Sequence, residues 1–301
     1  MEKEIIALVE ERGPLTGSEI LESLGGDGLL LWRTCKLSKS LNIRNVGMRY
    51  LRLDRRIQGF ARLSPSILRE FLTYSVIGRS RDDATLNKKA KEVASHIEAV
   101  SRAKSEVAYS VVSSLIGKLE SELQIQNQVC FIISGDIVYN MAHDVPRPER
   151  STGKLVKGSD MDLVVVVDDQ LPKASMDRLD DAIYQEKYRL LITPHLREEI
   201  DYIVKDLDRV REQLKFDTFK HMVACKLLQE GTLLYGSEEV FHLIKNMLKD
   251  HGVIQKLKAL EKRARVFRKE AEDYLLIEDP HKIREESLDL FYPTEESEEF
   301  E

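Results

Sequence analysis

The chain has 301 residues, with 46 Lys and Arg against 52 Asp and Glu, which gives a formal net charge of −6. Hydrophobic residues make up 42% of it and charged residues 33%, so it can bury a core and does not have the composition of a disordered chain. Its three cysteines, Cys35, Cys130 and Cys225, lie far apart and without CxxC spacing, which excludes a disulfide framework and a cysteine zinc site. Because it shows neither a signal peptide nor a run of roughly 18–20 apolar residues, we expect a cytoplasmic protein without membrane contact.

The first eighty residues predict three short helices followed by a hairpin. A capping box at Thr16–Glu19 begins the second helix, and a third helix is predicted over about 28–40. Two β-like segments follow, Leu41–Arg44 and Met48–Leu53. This order is that of a winged helix-turn-helix, in which the third helix enters a groove of the nucleic acid and the wing contacts phosphates.

This N-terminal region, residues 1–80, is strongly basic. Nine basic residues and one acid lie between Arg33 and Arg62, a balance that predicts a polyanion partner such as RNA or DNA. The alternative is that the domain docks a protein and that its basic residues are only solvated. The candidate nucleic-acid contacts are Arg44, Arg49, Arg52, Arg55 and Arg56.

Helices connect this region to the middle of the chain. The segment Ser64-Pro65-Ser66 predicts a helix over Ile67–Tyr74, because proline is favoured in the first helical turn. A long amphipathic pattern from Thr85 to Leu123 predicts one or two connecting helices within residues 85–125.

A first candidate site motif follows a buried-strand pattern at Val129–Ile133. The strand ends in Ser134-Gly135-Asp136, and helical spacing resumes from Ile137 to Ala142. An arrangement of strand, small-residue turn and helix points backbone N–H groups at a phosphate. The same pattern also occurs at ordinary turns between strands and helices.

A second motif, Gly158-Ser159-Asp160-Met161-Asp162, precedes the apolar strand pattern Leu163–Val167. Acids at i and i+2 of a strand project from the same face, and two such close charges need a cation between them. Carboxylate oxygens suit Mg²⁺, which takes one or two carboxylates together with phosphate oxygens and waters. A surface Asp-x-Asp turn is the alternative interpretation.

A third acid, Asp201, lies within a β pattern at Glu199–Val204, and Leu191-Ile192 also has the pattern of a short strand. If the strand of Asp201 lies beside that of the Asp160 and Asp162 pair, three carboxylates form a site that can hold two metal ions. Otherwise Asp201 is an edge-strand acid that faces water.

Together these residues resemble the nucleotidyltransferase superfamily of DNA polymerase β, whose pattern is a Gly-Ser turn, an Asp-x-Asp pair on a strand and a third Asp. The segment Lys226–Gly236 also resembles a helix and turn of small members. The resemblance covers residues 129–236, and the Gly-Ser order is reversed here at Ser134-Gly135.

The resemblance implies Mg²⁺-dependent transfer, with Mn²⁺ as a possible substitute, of a nucleoside monophosphate from an NTP to an acceptor hydroxyl. It implies that the catalytic and metal-binding residues are Asp160, Asp162 and Asp201. The candidate nucleotide-binding residues are Ser134, Gly135, Lys157, Gly158, Ser159 and Lys226. Lys220 is a further candidate, and the basic residues of the stretch 147–157 either meet the triphosphate or form a solvated loop.

The expected fold is therefore α+β, with an N-terminal winged helix-turn-helix, a central nucleotidyltransferase mixed β-sheet with flanking helices at 126–212, and C-terminal helices at 213–280. Residues 281–301, with eight acids and two bases, are expected to form an acidic disordered tail. Three functions stay open: nucleotidyl transfer to a nucleic acid, nucleotidyl transfer to a protein or small molecule, and DNA-binding regulation with an inactive transferase domain. No motif indicates the transferred nucleotide or an oligomeric state.

Overall fold

A computed structural model describes residues 1–149 and 152–291 of the chain. The fold is mixed α+β, as expected. The described chain divides into two compact units, the first made of residues 1–96 with 259–291 and the second of residues 97–258.

The elements up to the middle of the chain are α1 (Glu2–Arg12), β1 (Leu15–Thr16), α2 (Gly17–Leu24), α3 (Gly28–Leu37), β2 (Leu41–Asn45), β3 (Tyr50–Leu53), β4 (Ala61–Ser64), α4 (Ile67–Tyr74), β5 (Ser75–Arg79), α5 (Asp83–Leu123) and β6 (Val129–Ser134). The elements that follow are a 3-10 helix (Gly135–Tyr139), β7 (Pro146–Pro148), β8 (Leu155–Lys157), β9 (Met161–Val167), α6 (Lys173–Ile192), β10 (Ile200–Asp206), α7 (Leu207–Gln213), α8 (Phe219–Glu230), β11 (Thr232–Gly236), α9 (Glu238–Asp250), α10 (Val253–Ile277), α11 (Pro280–Glu286) and α12 (Leu288–Phe291).

Local sequence signals place several helices of the first unit where they were predicted. The capping box is present at α2, where the Thr16 hydroxyl accepts from the backbone N–H of Glu19 and the Glu19 carboxylate accepts from the N–H of Thr16 at 2.6 Å. The Ser66 hydroxyl accepts from the N–H of Arg69 and begins α4. The long amphipathic pattern forms the single helix α5.

The predicted hairpin between Leu41–Arg44 and Met48–Leu53 is wrong. Strand β2 pairs with β5, which also pairs with β1, so that the antiparallel sheet has the order β1-β5-β2. Strand β3 pairs with β4 in a separate two-stranded sheet. The reason lies in burial: Val76 and Ile77 of β5 are fully buried, so this more apolar strand takes the central place between β1 and β2.

The end of the described chain belongs to the core of the first unit. Residues 281–291, which the sequence assigned to a disordered acidic tail, form α11 and α12. Ile283 is fully buried, and the ring of Phe291 packs against Trp32 with centroids 5.6 Å apart. Burial of these two apolar side chains stabilises the segment, although its composition is mostly acidic. The acidic run at 295–299 lies outside the described residues.

The second unit is built on a four-stranded mixed sheet of order β10-β9-β6-β11, in which β10 is parallel to β9 and the other pairs are antiparallel. Alternate residues of β6 and β9, such as Phe131 and Val165, pack in a core cluster with residues of α5 and α6. The predicted strand at Leu191-Ile192 is wrong, because both residues complete α6, where Leu191 continues a buried helical face with Leu179 and Ile183.

All three cysteines are buried free thiols. Cys35 lies in the first unit, while Cys130 of β6 and Cys225 of α8 lie in the second. Burial raises the pKa of each thiol to about 12.

A buried lysine of the second unit gives a pH-dependent prediction. The Lys205 ammonium of β10 donates to the Gln213 side chain at 2.9 Å, and burial lowers its pKa to about 8. An unfolded lysine keeps its proton up to about pH 10.4, so the unfolded state binds more protons between these two values. Lys205 by itself therefore raises the free energy of unfolding from pH 8 to pH 10.5, by up to about 3 kcal/mol, while the three buried thiols, which ionise near about pH 8.5 when unfolded, lower it over the same range.

The measurement is urea unfolding at pH 7.5 and pH 10.5 for the wild type and Lys205→Met. The change in the free energy of unfolding from pH 7.5 to pH 10.5 should be lower in Lys205→Met than in the wild type by up to about 3 kcal/mol. Lys173→Met, at a lysine side chain that is 77% exposed, should match the wild type. An equal change in all three proteins would contradict the assignment to Lys205.

Candidate active site

Two of the predicted carboxylates and the predicted serine meet on one face of the second sheet. Asp162 of β9 lies directly opposite Asp201 of the parallel strand β10, and opposite Ser134 of the antiparallel strand β6. Met161 and Leu163 point into the core with α5 and α6, so the three polar residues lie on the other face. Strand β10 of Asp201 lies beside β9 of Asp162, which is the condition that the three-carboxylate site requires.

The Gly135 turn fits closely around Asp162. Gly135 has φ +70°, and a Cβ at this position would lie 1.9 Å from the Asp162 Oδ2 atom. The helix predicted after this turn is only the five-residue 3-10 helix. Ser134 is fully buried, and its hydroxyl has no hydrogen-bond partner among the described residues. A buried hydroxyl without a partner is costly, so this group is available to a ligand beside Asp162.

Gly158 and Ser159 hold the chain that leads to Asp160. Gly158 has φ +62°, and a Cβ there would lie 1.8 Å from the carbonyl oxygen of His143. The Ser159 hydroxyl donates to Asp136 at 2.9 Å and accepts from the backbone N–H of His143 at 3.1 Å. Both residues therefore contact protein groups, His143 and Asp136, and these contacts hold the chain just before Asp160 in place.

Two basic side chains neutralise part of the acidic site. The Arg147 guanidinium of β7 lies 2.8 Å from the Glu199 carboxylate and 3.6 Å from the Asp160 carboxylate, and its Nε donates to the carbonyl of Gly158 at 2.8 Å. The Lys187 ammonium of α6 lies 2.8 Å from Asp201 Oδ1. Lys187 and Glu199 carry no specific signal in the sequence, because nothing in their own segments marks which acid or base they meet.

Burial and the remaining excess of negative charge raise the pKa values of two acids of the site. Burial raises the pKa of Asp160, Arg147 lowers it, and the nearby charges of Asp201 and Asp136 raise it further, with a net rise. Burial likewise raises the pKa of Glu199 to about 7, against the opposing effect of Arg147. Carboxylates with raised pKa values lose their protons less readily. A cation bound beside them would favour their ionised form and supply the missing positive charge.

The predicted phosphate-binding lysines are placed differently from one another. Lys226 is buried on α8, with its ammonium 2.9 Å from Glu230. Glu230 also accepts from the Tyr139 hydroxyl at 2.6 Å and from the N–H of Gly135 at 3.4 Å, so Lys226 is linked to the Gly135 turn through this carboxylate. Glu230 and Tyr139 carried no sequence signal.

Lys157 and Lys220 are exposed. The Lys157 ammonium donates to the carbonyl of His195 at 2.8 Å, and among the described residues it forms no hydrogen bond or ion pair with the three acids. The Lys157 ammonium is therefore directed to the chain before β10 and not to Asp160, Asp162 or Asp201.

The donor set suits a hard divalent cation. Asp160, Asp162 and Asp201 supply only oxygen atoms, which Mg²⁺ and Mn²⁺ accept, and the unpartnered Ser134 hydroxyl lies on the same face as the central acid. Residues 1–149 and 152–291 contain no group of three or more His, Cys, Asp and Glu side chains already arranged to hold a metal ion. Arg147 and Lys187 instead contact the outer acids.

A cavity of about 570 Å³ lies elsewhere in the second unit, between α5, the 3-10 helix and β11. Tyr109, Arg102 and Asn140 line it together with apolar residues that include Ile133. Because Ile133 belongs to the core face of the sheet, this cavity is distinct from the carboxylate face that holds Asp162.

The five candidate nucleic-acid contacts of the first unit differ in exposure. Arg44, Arg55 and Arg56 are exposed and Arg52 is half-buried. Arg49 lies in an ion-pair network, 2.6 Å from Glu70 and 2.8 Å from Glu272, with Arg268 on the same two acids. Its guanidinium is therefore committed to the fold of the unit.

The chain matches no protein-family model and no curated protein. Within residues 1–149 and 152–291, no helix has an apolar stretch long enough to cross a membrane. The cytoplasmic location stays a prediction.

Proposed function

We propose that the second unit is a nucleotidyltransferase, which moves a nucleoside monophosphate from an NTP to an acceptor hydroxyl. The observation that carries the proposal is the pairing of Asp162 with Asp201 across two parallel strands, with Asp160 two residues before Asp162. The placement of Ser134 and Gly135 against Asp162 supports it, because a turn with a spare hydroxyl beside the acids suits a phosphate group.

Asp160, Asp162 and Asp201 would hold Mg²⁺, which supplies charge neutralisation for the triphosphate and activates the acceptor hydroxyl. The Asp201 carboxylate takes the proton of that hydroxyl. The acceptor oxygen forms a bond to the α-phosphorus, the bond from this phosphorus to the β-phosphate oxygen breaks, and pyrophosphate leaves. The Ser134 hydroxyl donates to a phosphate oxygen, which satisfies its hydrogen bond.

The test uses the full chain with Mg²⁺ and each of the four NTPs, labelled in turn at the α-phosphate and at the γ-phosphate. Total RNA, DNA and a protein extract serve as acceptors in separate reactions. Nucleotidyl transfer is expected to give a labelled acceptor from an α-labelled NTP only. Label from a γ-labelled NTP would indicate a phosphoryl transfer instead, and no label from any NTP would contradict the proposal.

For the first unit, we infer a winged helix that brings a nucleic-acid acceptor. Its element order α1-β1-α2-α3-β2, completed by β5 in the sheet β1-β5-β2, supports this inference, with β3, β4 and α4 inserted where the wing would lie. The exposed Arg55 and Arg56 lie in the turn between β3 and β4. Docking of a protein acceptor is the alternative, and it would leave the same transferase chemistry.

We expect charge reversal at Arg44, Arg55 and Arg56 together to weaken binding to RNA or DNA across sequences. Each lost phosphate contact should flatten the dependence of log affinity on log salt by about one unit. Arg49 is left unchanged, because its reversal would disrupt the Glu70 and Glu272 network. The measurement is filter binding of single-stranded and duplex RNA and DNA at several salt concentrations.

The matched control reverses three other exposed bases of the same unit, Arg81, Lys88 and Lys91, with the same change in net charge. It should keep the wild-type salt dependence. Equal weakening in both triple variants would show that only net charge matters, and absence of binding at low salt would favour protein docking.

A further inference from the structure

One cation of the acidic site is carried by a small hairpin, which β7 and β8 form as a separate two-stranded sheet. Arg147 extends from β7 to the carboxylates of Glu199 and Asp160, and its Nε is held by the carbonyl of Gly158. Its side chain is only 30% exposed, so the charge is largely withdrawn from water. An arginine in this setting stays charged at all relevant pH values.

The two cations contact the outer acids of the site. Arg147 pairs with Asp160 and Lys187 pairs with Asp201, while Gly135 lies against Asp162. With Glu199 and Asp136 included, the carboxylates outnumber Arg147 and Lys187, so these groups carry an excess of negative charge when the acids are ionised. This excess attracts a divalent ion, but an ion that binds Asp160 must lie close to the Arg147 guanidinium and be repelled by it.

A triphosphate changes this balance. A guanidinium binds a phosphate through two parallel hydrogen bonds, in the same way as it binds a carboxylate. Arg147 can therefore exchange its contact with Asp160 for one with a phosphate, which frees the carboxylate for the metal ion. Lys187 is less suited to this exchange, because it lies on the regular helix α6, whereas Arg147 lies on a three-residue strand whose partner is another three-residue strand.

We propose that Arg147 is a built-in counter-ion that opposes metal binding at Asp160 until a nucleoside triphosphate arrives, so that metal and nucleotide bind as a coupled pair. This inference rests on the proposed nucleotidyltransferase function. Because coupling between two ligands is reciprocal, the metal also raises the affinity for the nucleotide. Arg147 thereby weakens metal binding in the absence of the nucleotide.

The test measures Mn²⁺ binding to the full chain by electron paramagnetic resonance of free Mn²⁺, without nucleotide and with an NTP analogue that has a methylene group between its α- and β-phosphates. In the wild type, the Mn²⁺ affinity measured with the analogue present should be at least about tenfold higher than independent binding of Mn²⁺ to the protein and to the analogue would give. Arg147→Ala should bind Mn²⁺ alone about tenfold more tightly than the wild type and lose most of this coupling.

Arg147→Gln serves as a second variant, since it removes the charge and keeps a long polar side chain in case Arg147→Ala does not fold. Arg178→Ala is the control, because Arg178 is an exposed arginine of the same unit that pairs with Glu122. It should retain the wild-type affinity and coupling. Circular dichroism of each variant verifies the fold before binding is measured.

The outcomes separate this inference from the proposed function. If the wild type binds Mn²⁺ alone as tightly as both Arg147 variants, the counter-ion role is overturned while the transferase proposal stands. If the variants lose affinity for the analogue with Mn²⁺ and gain none for Mn²⁺ alone, Arg147 is only a phosphate contact and the inference is also overturned. If no protein binds Mn²⁺ even with the analogue, both are overturned.

Discussion

Asp162→Asn is expected to lower nucleotidyl transfer by about a thousandfold or more, which corresponds to ~4 kcal/mol of lost transition-state stabilisation. Asp162 lies opposite Asp201 on one side and opposite Ser134 on the other, so its carboxylate is central to the proposed site. Several kilocalories per mole of charge stabilisation depend on a metal that needs this ligand. The measurement is the rate of transfer from an α-labelled NTP.

The fold of Asp162→Asn should remain intact. Removing one of several neighbouring negative charges relieves repulsion, so its melting temperature should equal or exceed that of the wild type. Asp177→Asn, at a side chain that is 62% exposed on α6, is the matched control and should keep the wild-type rate. A near wild-type rate for Asp162→Asn would remove this residue from the catalytic site.

Gly158→Ala is expected to lower the free energy of unfolding by about 3 kcal/mol or more. The residue has φ +62°, which disfavours any side chain, and a Cβ would lie 1.8 Å from the backbone oxygen of His143. Backbone cannot yield as a flexible side chain does, so the chain before Asp160 must shift. Urea unfolding measures the loss of stability, and we expect the rate of transfer to fall as well.

Gly153→Ala provides a control for the backbone conformation alone. Gly153 has φ +68°, close to that of Gly158, but a Cβ there would meet nothing within 4 Å. Its expected cost is therefore only about 1–2 kcal/mol. Similar costs for the two variants would show that the contact with His143 is unimportant.

The sequence predicted the parts of the site that depend on local patterns. The apolar alternation around Asp201 marked a strand and the run Leu163–Val167 marked another, but whether the two lie side by side stayed open. The structure added the register, which places Asp201 opposite Asp162 and not opposite Asp160. A shift of one residue would have turned one of these acids to the other face of the sheet.

The features that the sequence did not predict depend on partners far away in the chain. The strand β5 that pairs with β2 lies about thirty residues downstream, beyond the local hairpin pattern. Lys187 meets Asp201 only because α6 packs beside β10, and an isolated lysine on a helix is indistinguishable from a solvated one. The pair Leu191-Ile192 shows the same limit, since two apolar residues fit a strand or the end of a helix equally well.

The burial of the three thiols gives the molecule built-in reporters of local opening. A thiol reacts with an alkylating reagent only as an accessible thiolate, and burial suppresses both conditions in the folded chain. Cys35 lies in one compact unit, whereas Cys130 and Cys225 lie in the other. The rate at which each thiol is alkylated under native conditions therefore measures how often its own surroundings unfold, and it resolves the stability of the two units without any engineered label.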